Sequence, residues 1–420
     1  MDFFSNTTMV YITLAAVFGI FMAWGIGAND VANAMATSVG SKSITIKQAV
    51  ILAAIFEFAG AYLAGGEVTN TIRKGIVSLD AFQGNVDLLI WGMLASLLAA
   101  GTWLLIASIK GWPVSTTHSI VGAVIGFAAI GVGTDAVSWD KVSSIVASWI
   151  ISPLLAGSIS FAVFSSIQKL VINTSDPLKN SIKYGPIYLF MVGFMIALVT
   201  IKKGLKHIGL DIHDGMEFVY ASIIGIIIAF IGIWLIRRIK YDKGAEKRFH
   251  YANVEKIFAI LMIFTASAMA FAHGSNDVAN AVGPMAAVIS IADSGELASK
   301  SSMPSWVLLV GGIGIVIGLA TLGYKVIATV GKNITELTPS RGFSAEIAAA
   351  TTVVLATYTG LPVSTTHVLV GAILGVGLAR GIAAIDLRVV GNIFMSWVIT
   401  LPAGAFLSIL FFFTLKGIFS

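Results

Sequence analysis

Charge interrupts this chain so rarely that stretches of about 20 apolar residues follow one another with only short polar breaks. That is the length an α-helix needs to cross a hydrocarbon layer about 30 Å thick. A backbone in lipid must also satisfy its own N–H and C=O groups, which a helix does within one segment. Of 420 residues, 57% are apolar or aromatic and 11% charged, too little polar surface for a soluble domain. Spans are expected at 8 to 28, 45 to 65, 86 to 109, 118 to 134, 142 to 171, 183 to 201, 217 to 239, 253 to 272, 303 to 324, 343 to 360, 365 to 382 and 390 to 415, each end to within about 4 residues. The 43 glycines follow no collagen period and suit close helix packing and broken helices in lipid. The first stretch, Met9 to Gly27, is long for a signal-peptide core and is preceded by Asp2 without a basic residue, so it reads as a retained helix.

Lys and Arg number 26 against 21 Asp and Glu, a net charge of +5. The basic residues sit between apolar stretches, which is loop bias and not a nucleic-acid surface; no nucleic-acid partner is expected. The absence of Cys excludes disulfides and thiolate metal sites. The most basic loop holds Arg237, Arg238, Lys240, Lys243, Lys247 and Arg248 against Asp242 and Glu246, which assigns it to the cytoplasm. Alternation then places both termini outside, with Lys42, Lys47, Lys110, Lys169, Lys179, Lys325, Lys332, Arg341, Arg380 and Arg388 inside and Asp135 and Asp140 outside. Arg73, Lys74, Lys202, Lys203 and Lys206 fall outside, against the rule.

The chain contains itself twice. Gly27 to Ala34 reads GANDVANA and Gly274 to Ala281 reads GSNDVANA, seven identities in eight positions 247 residues apart; Pro113 to His118 and Pro362 to His367 both read PVSTTH, 249 apart. A weaker echo pairs Thr71, Lys74 and Ile76 with Thr329, Lys332 and Ile334. An odd number of expected crossings separates the copies, so they lie inverted in the membrane. Inverted repeats with broken helices point to a secondary transporter whose substrate sits near the midplane at the repeat interface. The expected fold is an all-α polytopic membrane protein of about twelve transmembrane helices in two inverted repeats with broken or re-entrant helices. Residues 1–171 form the first repeat, 172–252 the linking helices and basic loop, and 253–420 the second repeat.

Asp30 and Asn33 stand three apart, as do Asp277 and Asn280, placing a carboxylate and an amide on one helical face. A carboxylate within a span is expensive to insert and so a functional candidate; the rival reading is a loop Asp capping the next helix. In PVSTTH, Pro fixes an extended entry, after which Ser and Thr hydroxyls and free N–H groups stand where a new helix begins. Such a terminus binds phosphate-like oxyanions. Gly111 and Gly360 give the chain room to turn before it. His118 and His367, one turn in, read as packing residues. Glu57 and Glu346 lie in apolar spans as candidate cation or proton carriers and do not align under the repeat offsets. Two helix N-termini supply about +0.5 each against two aspartates and a phosphate of −1 or −2. A deficit of about −2 to −3 calls for roughly two or three monovalent cations entering with the anion. Asp, Asn and Thr oxygens suit a hard cation such as Na⁺. No nucleophile and base pair, metal-ligand spacing or nucleotide loop marks an enzyme. A channel filter would repeat about a symmetry axis through subunits, whereas these motifs are inverted within one chain.

The paired G-[AS]-N-D-V-A-N-A and P-V-S-T-T-H motifs resemble the inorganic phosphate transporter (PiT) family over nearly the whole chain. The resemblance implies symport of inorganic phosphate with Na⁺ or H⁺ on a twelve-helix inverted-repeat fold in the bilayer, with related members moving sulfate, and a homodimer. Carried over by position, the phosphate-binding residues are Ser115, Thr116, Thr117, Ser364, Thr365 and Thr366. Asp30, Asn33, Asp277 and Asn280 are the Na⁺ ligands, and Glu57 and Glu346 are coupling residues. Animal members carry a long central cytoplasmic domain, whereas here about 14 residues separate Ile239 from Asn253, so a bacterial or archaeal plasma (inner) membrane is expected. Proton-coupled phosphate or metal-phosphate transport and sulfate permeation stay open as alternatives on the same scaffold.

Overall fold

A computed structural model of the chain describes residues 7–204, 215–239, 247–295, 304–333, 337–381 and 387–420. Lys206 and, in the basic loop, Lys240, Asp242, Lys243 and Glu246 lie outside the described residues.

Among the described residues each expected span falls largely on a helical segment. The first half contains α1 (Thr7–Gly40), α2 (Ile46–Ala64), α3 (Gly66–Gly75), α4 (Val86–Ile109), α5 (Thr116–Gly126) and α6 (Trp139–Ile167). Two linking helices follow, α7 (Pro177–Val199) and α8 (Met216–Arg237). The second half contains α9 (Lys247–Ser294), α10 (Ser305–Gly318), α11 (Tyr324–Asn333), α12 (Pro339–Tyr358), α13 (Thr365–Arg380) and α14 (Leu387–Phe419). Among the described residues nine helices are long and apolar enough to cross a membrane, and the segments Thr116–Val132 and Thr365–Arg380 are shorter apolar helices. The outer face is apolar: Ile223, Ile227, Phe230 and Trp234 of α8 are all exposed, as lipid-facing side chains are.

One expectation needs correction. The spans ending near residues 28 and 272 do not stop at the motifs; α1 runs on to Gly40 and α9 to Ser294. Asp30 and Asp277 are therefore mid-helix residues, not loop caps. The reason is that Asn and Asp disrupt a helix by bonding to its own backbone, and here their side chains are engaged by other segments. The breaks occur before PVSTTH, where the Pro and Gly residues led them to be expected. Gly111 and Gly360 adopt φ values of +68° and +70°, and an extended stretch through Ser115 and Ser364 leads into α5 and α13.

Contacts along the helices give their directions. Ser41 meets Met262, Asp30 meets His273 and Gly19 meets Met285, so α1 and α9 are antiparallel, as inverted copies must be. Tyr11 meets Trp91, Phe21 meets Gly101 and Asn29 meets Ser108, making α4 parallel to α1. In the other half Glu255 meets Ser340, Thr265 meets Glu346 and Ser275 meets Thr357, making α12 parallel to α9. The tip of the α4–α5 hairpin stands beside Asn29, while α1 continues eleven residues farther, about 16 Å. The hairpin stops short of the end of α1, as a re-entrant element does.

Small residues set the crossings. A Cβ on Gly27 would collide with the Ile315 carbonyl, and one on Gly318 with that of Trp24; Gly60 and Gly274 stand in the same relation to Phe271 and Glu57. The segments 1–171 and 253–420 interpenetrate: Gly371 and Gly375 of α13 lie against α6 at Pro153 and Gly157, and Gly122 and Gly126 of α5 against α14 at Leu401 and Ala405.

Candidate functional site

The motif helices and the two hairpins meet at the centre through a crossed hydrogen-bond pattern. Asn29 holds its own hairpin: its amide donates to Ser108 Oγ (3.2 Å) and the Trp112 carbonyl (2.9 Å), and its Oδ1 accepts from Val114 N (3.1 Å). Asn276 repeats this with Thr357 Oγ1 (3.1 Å), the Leu361 carbonyl (3.1 Å) and Val363 N (3.2 Å). Each hairpin tip thereby has its buried backbone groups satisfied by a side chain, which an unpaired extended segment requires.

Asp30 Oδ2 accepts from Thr116 Oγ1 at 2.6 Å, and Asp277 Oδ2 from Thr365 Oγ1 at 2.9 Å, each within its own half. The asparagines reach across. Asn33 Nδ2 donates to Thr365 (3.1 Å) and Thr366 (2.9 Å), and Asn280 Nδ2 to Thr116 and Thr117, both at 3.3 Å. Thr117 donates to the Val363 carbonyl (3.0 Å) and Thr366 to that of Val114 (3.3 Å), tying the two tips together. Ser115 and Ser364 are N-caps, accepting from His118 N (3.2 Å) and His367 N (3.3 Å). His118 and His367 meet with ring centroids 4.5 Å apart, and His118 lies 3.8 Å from the Trp149 ring, the packing expected of them.

All ten predicted phosphate and Na⁺ ligands are buried and gathered in this one region. Among them Asp30 Oδ1, Asp277 Oδ1 and Asn280 Oδ1 are buried and accept no hydrogen bond from a protein group. Orphaned acceptors are what a desolvated hard cation takes as ligands. Both half-helix N-termini converge on the same place, with first-turn N–H groups that lack intrahelical partners.

Glu57 joins this cluster and Glu346 does not. Glu57 Oε1 lies 3.2 Å from His273 Nδ1, and His273 Nε2 lies 3.1 Å from Asp277 Oδ2 and 4.0 Å from Asp30 Oδ2. One ligand atom each of Asp30, His273 and Asp277 lie within 4.8 Å of one another. Glu346 is instead bonded by Thr37, Ser38 and Thr265.

Residues 26–408 match the phosphate transporter family. A relative from Haemophilus influenzae, named as a phosphate permease, is 52% identical over all of both chains. The chloroplastic inorganic phosphate transporter 2-1 of Arabidopsis thaliana is 42% identical over 96% of this chain and 71% of its own length. A solved structure described as the sodium-dependent phosphate transporter superposes with a TM-score of 0.89 at 41% identity, covering 97% of this chain and 100% of that one. This chain belongs to the phosphate transporter family. It is a multi-pass membrane transporter and not an enzyme.

For this phosphate transporter, sequence reading missed His273, which carries no partner signal in AFAHGS and whose counterpart 247 residues earlier is Ile26. It also left Asn29 and Asn276 unassigned inside the motif. Their duplication was a signal; their task of holding the hairpin tips appears only when those tips are in place.

Proposed function

We propose that this family member is a secondary symporter that carries inorganic phosphate across the plasma membrane with Na⁺ by alternating access, its termini outside. The observation that carries this reading is the pair of buried carboxylate oxygens, Asp30 Oδ1 and Asp277 Oδ1, that accept no protein hydrogen bond beside two helix N-termini. The termini favour an oxyanion. The two carboxylates oppose one unless cations arrive with it, because uncompensated charge in a low dielectric is strongly unfavourable.

Asp30, Asn33, Asp277 and Asn280 supply carboxylate and amide oxygens for Na⁺ in this account. Ser115, Thr116, Thr117, Ser364, Thr365 and Thr366 supply hydroxyls and N–H groups for phosphate. Thr116 donates to Asp30 of its own half and accepts from Asn280 of the other, and Thr365 does the converse with Asp277 and Asn33. Cation binding at the carboxylates is thus felt at the hydroxyls that hold the anion and at the junction of the two halves. Glu57 and Glu346 act as coupling residues, and the deficit of about two to three charges left by the two aspartates and the phosphate is met by Na⁺. No Arg or Lys belongs to either motif pair, which suits release, since a bidentate Arg clamp would hold phosphate tightly. The similarity to a sodium-dependent phosphate transporter supports Na⁺ as the coupling ion.

The test is labelled-phosphate uptake into proteoliposomes under an inward Na⁺ gradient, against K⁺ and inward proton gradients. Accumulation with Na⁺ alone is expected, with arsenate but not sulfate competing. Accumulation with protons alone favours a second reading, in which His273 and the carboxylates around it carry protons; their mutual distances of 3.1 to 4.0 Å are the observation behind it.

A further inference from the structure

The seam between α6 and α13, away from the motif cluster, is packed along one edge and open along the other. Pro153 has no N–H to offer the Trp149 carbonyl one turn back, and His367 Nδ1 lies 3.2 Å from that oxygen instead. Gly371 and Gly375 bring α13 against the α6 backbone at Pro153 and Gly157, and Ser160 Oγ donates to the Ala372 carbonyl at 2.6 Å. The order of these contacts makes the two helices parallel. Beside the packed edge lies a groove of about 700 Å³, lined between Val146 and Phe161 on α6 and between His367 and Leu378 on α13. Those stretches rise about 22 Å and about 16 Å, enough for the acyl layer of one leaflet, about 15 Å deep. Ile150, Leu154 and Phe161 on its rim are apolar and exposed, so the groove opens onto the lipid-facing surface.

We propose that this groove holds one acyl chain of an anionic phospholipid whose headgroup sits at Lys169 and Arg380. Walls this apolar give water too few polar partners. Within a bilayer an apolar groove does not by itself distinguish one lipid from another, so charge makes the selection. Lys169 stands on the continuation of α6, eight residues past Phe161, and Arg380 in the last turn of α13. Because the helices are parallel, both cations lie at the same end of the groove. Both are exposed, and among the described residues neither is within ion-pair distance of a carboxylate. A headgroup phosphate is the anion that the membrane supplies at that level, and an anionic headgroup adds to the attraction. In the orientation proposed above this end faces the cytoplasm, where basic side chains meet anionic lipid. The chain braces α13, whose first turn carries Thr365 and Thr366, against α6 along the edge that protein leaves open.

The groove belongs to one half. Under the 249-residue offset of the PVSTTH copies, Gly157 and Ser158 correspond to Phe406 and Leu407 of α14, bulky where this seam is small. The lipid site is therefore no part of the duplicated machinery, and it stands whichever cation drives transport.

The test is photolabelling. Purified wild type, Ser158→Trp and Lys169→Gln are reconstituted in phosphatidylcholine vesicles with a trace of phosphatidylglycerol carrying a diazirine on its acyl chain. After irradiation, labelled peptides are quantified by mass spectrometry. In wild type, segments 146–161 and 367–378 should be labelled at least about fivefold more than the lipid-facing segment 223–234 of α8, the enrichment that one cation gives an anionic headgroup. Ser158 is exposed on the groove, so Ser158→Trp should fill the opening with the core intact and bring seam labelling down to the α8 level. Lys169→Gln should lower it about fivefold for phosphatidylglycerol and by less than about twofold for a phosphatidylcholine analogue. Equal labelling of the seam and α8 in wild type, or seam labelling that Ser158→Trp leaves unchanged, would overturn the groove as a lipid site. Seam segments shielded from label but chemically cross-linked to a second copy would make this face an interface between copies and overturn it as well. An unchanged preference for phosphatidylglycerol in both Lys169→Gln and Arg380→Gln would overturn the headgroup assignment.

Discussion

The two halves agree at the motifs and part company around them. Asn29 matches Asn276, Asp30 matches Asp277, Asn33 matches Asn280 and Thr116 matches Thr365, and each pair makes the corresponding bonds. One shell out, His273 stands where the first half has Ile26, and Glu57 crosses α9 where the matching crossing, of α10 on α1, has Ile315. Glu346 stands where the first half has Leu97. In the alternating-access reading proposed above, the symmetric shell is the repeat interface at which the substrate would sit. The asymmetric shell is ionisable and buried, and a buried ionisable group persists in lipid only with a partner or a task.

The comparison can be broken most sharply at its centre. Asp30→Asn and Asp277→Asn should each lower Na⁺-driven phosphate uptake by about two orders of magnitude at equal membrane amounts, because removing one member of a buried charge constellation costs about 3–5 kcal/mol. Normal uptake in either variant would remove its carboxylate from the mechanism.

Replacing His273 by its counterpart, His273→Ile, should lower uptake by roughly 10- to 100-fold and lower Tm, since Glu57 is left buried and uncompensated. Adding Glu57→Ile should recover Tm relative to the single variant. A double-mutant cycle with no coupling would show that the 3.2 Å approach contributes nothing to the fold.

Asn29→Ala and Asn276→Ala should each destabilise by about 2–4 kcal/mol, the loss of three buried hydrogen bonds of about 1 kcal/mol each. Thermal unfolding in detergent should give equal shifts for the two; unequal shifts would mean the hairpins are held differently.

The smallest effect belongs to the N-caps. Ser115→Ala and Ser364→Ala each lose about 1 kcal/mol of capping, and uptake kinetics should show phosphate KM raised about fivefold with Na⁺ half-saturation within twofold. Equal loss of both affinities would indicate that the serines serve both ligands.

Much of this was legible in sequence because its physical cause is local or repeated. Span lengths follow from the thickness of the bilayer, and a motif pair repeated 247 and 249 residues apart announces a duplication without any coordinates. Gly111 and Gly360 announced the turns that they make. The course of α1 and α9 through GANDVANA and GSNDVANA was not legible. Whether Asn and Asp break a helix depends on whether their side chains find partners elsewhere, and those partners lie on hairpins about 80 residues away in sequence.

The sequence by itself therefore determined the class of molecule, the two inverted copies and the ten central side chains. The periodicity of lipid-soluble helices and the pull of a helix N-terminus on an oxyanion act over a few residues. Tertiary structure alone decided which of those side chains cross between halves, with Asn33 reaching Thr366 across 333 residues. It also placed His273 against Glu57 across 216 residues and gave Glu346 its three hydroxyls. These pairings follow from the glycine crossings at Gly60 and Gly274 and at Gly27 and Gly318. Close backbone approach there fixes which buried polar groups fall within hydrogen-bond reach, a distance that one strand of sequence does not encode.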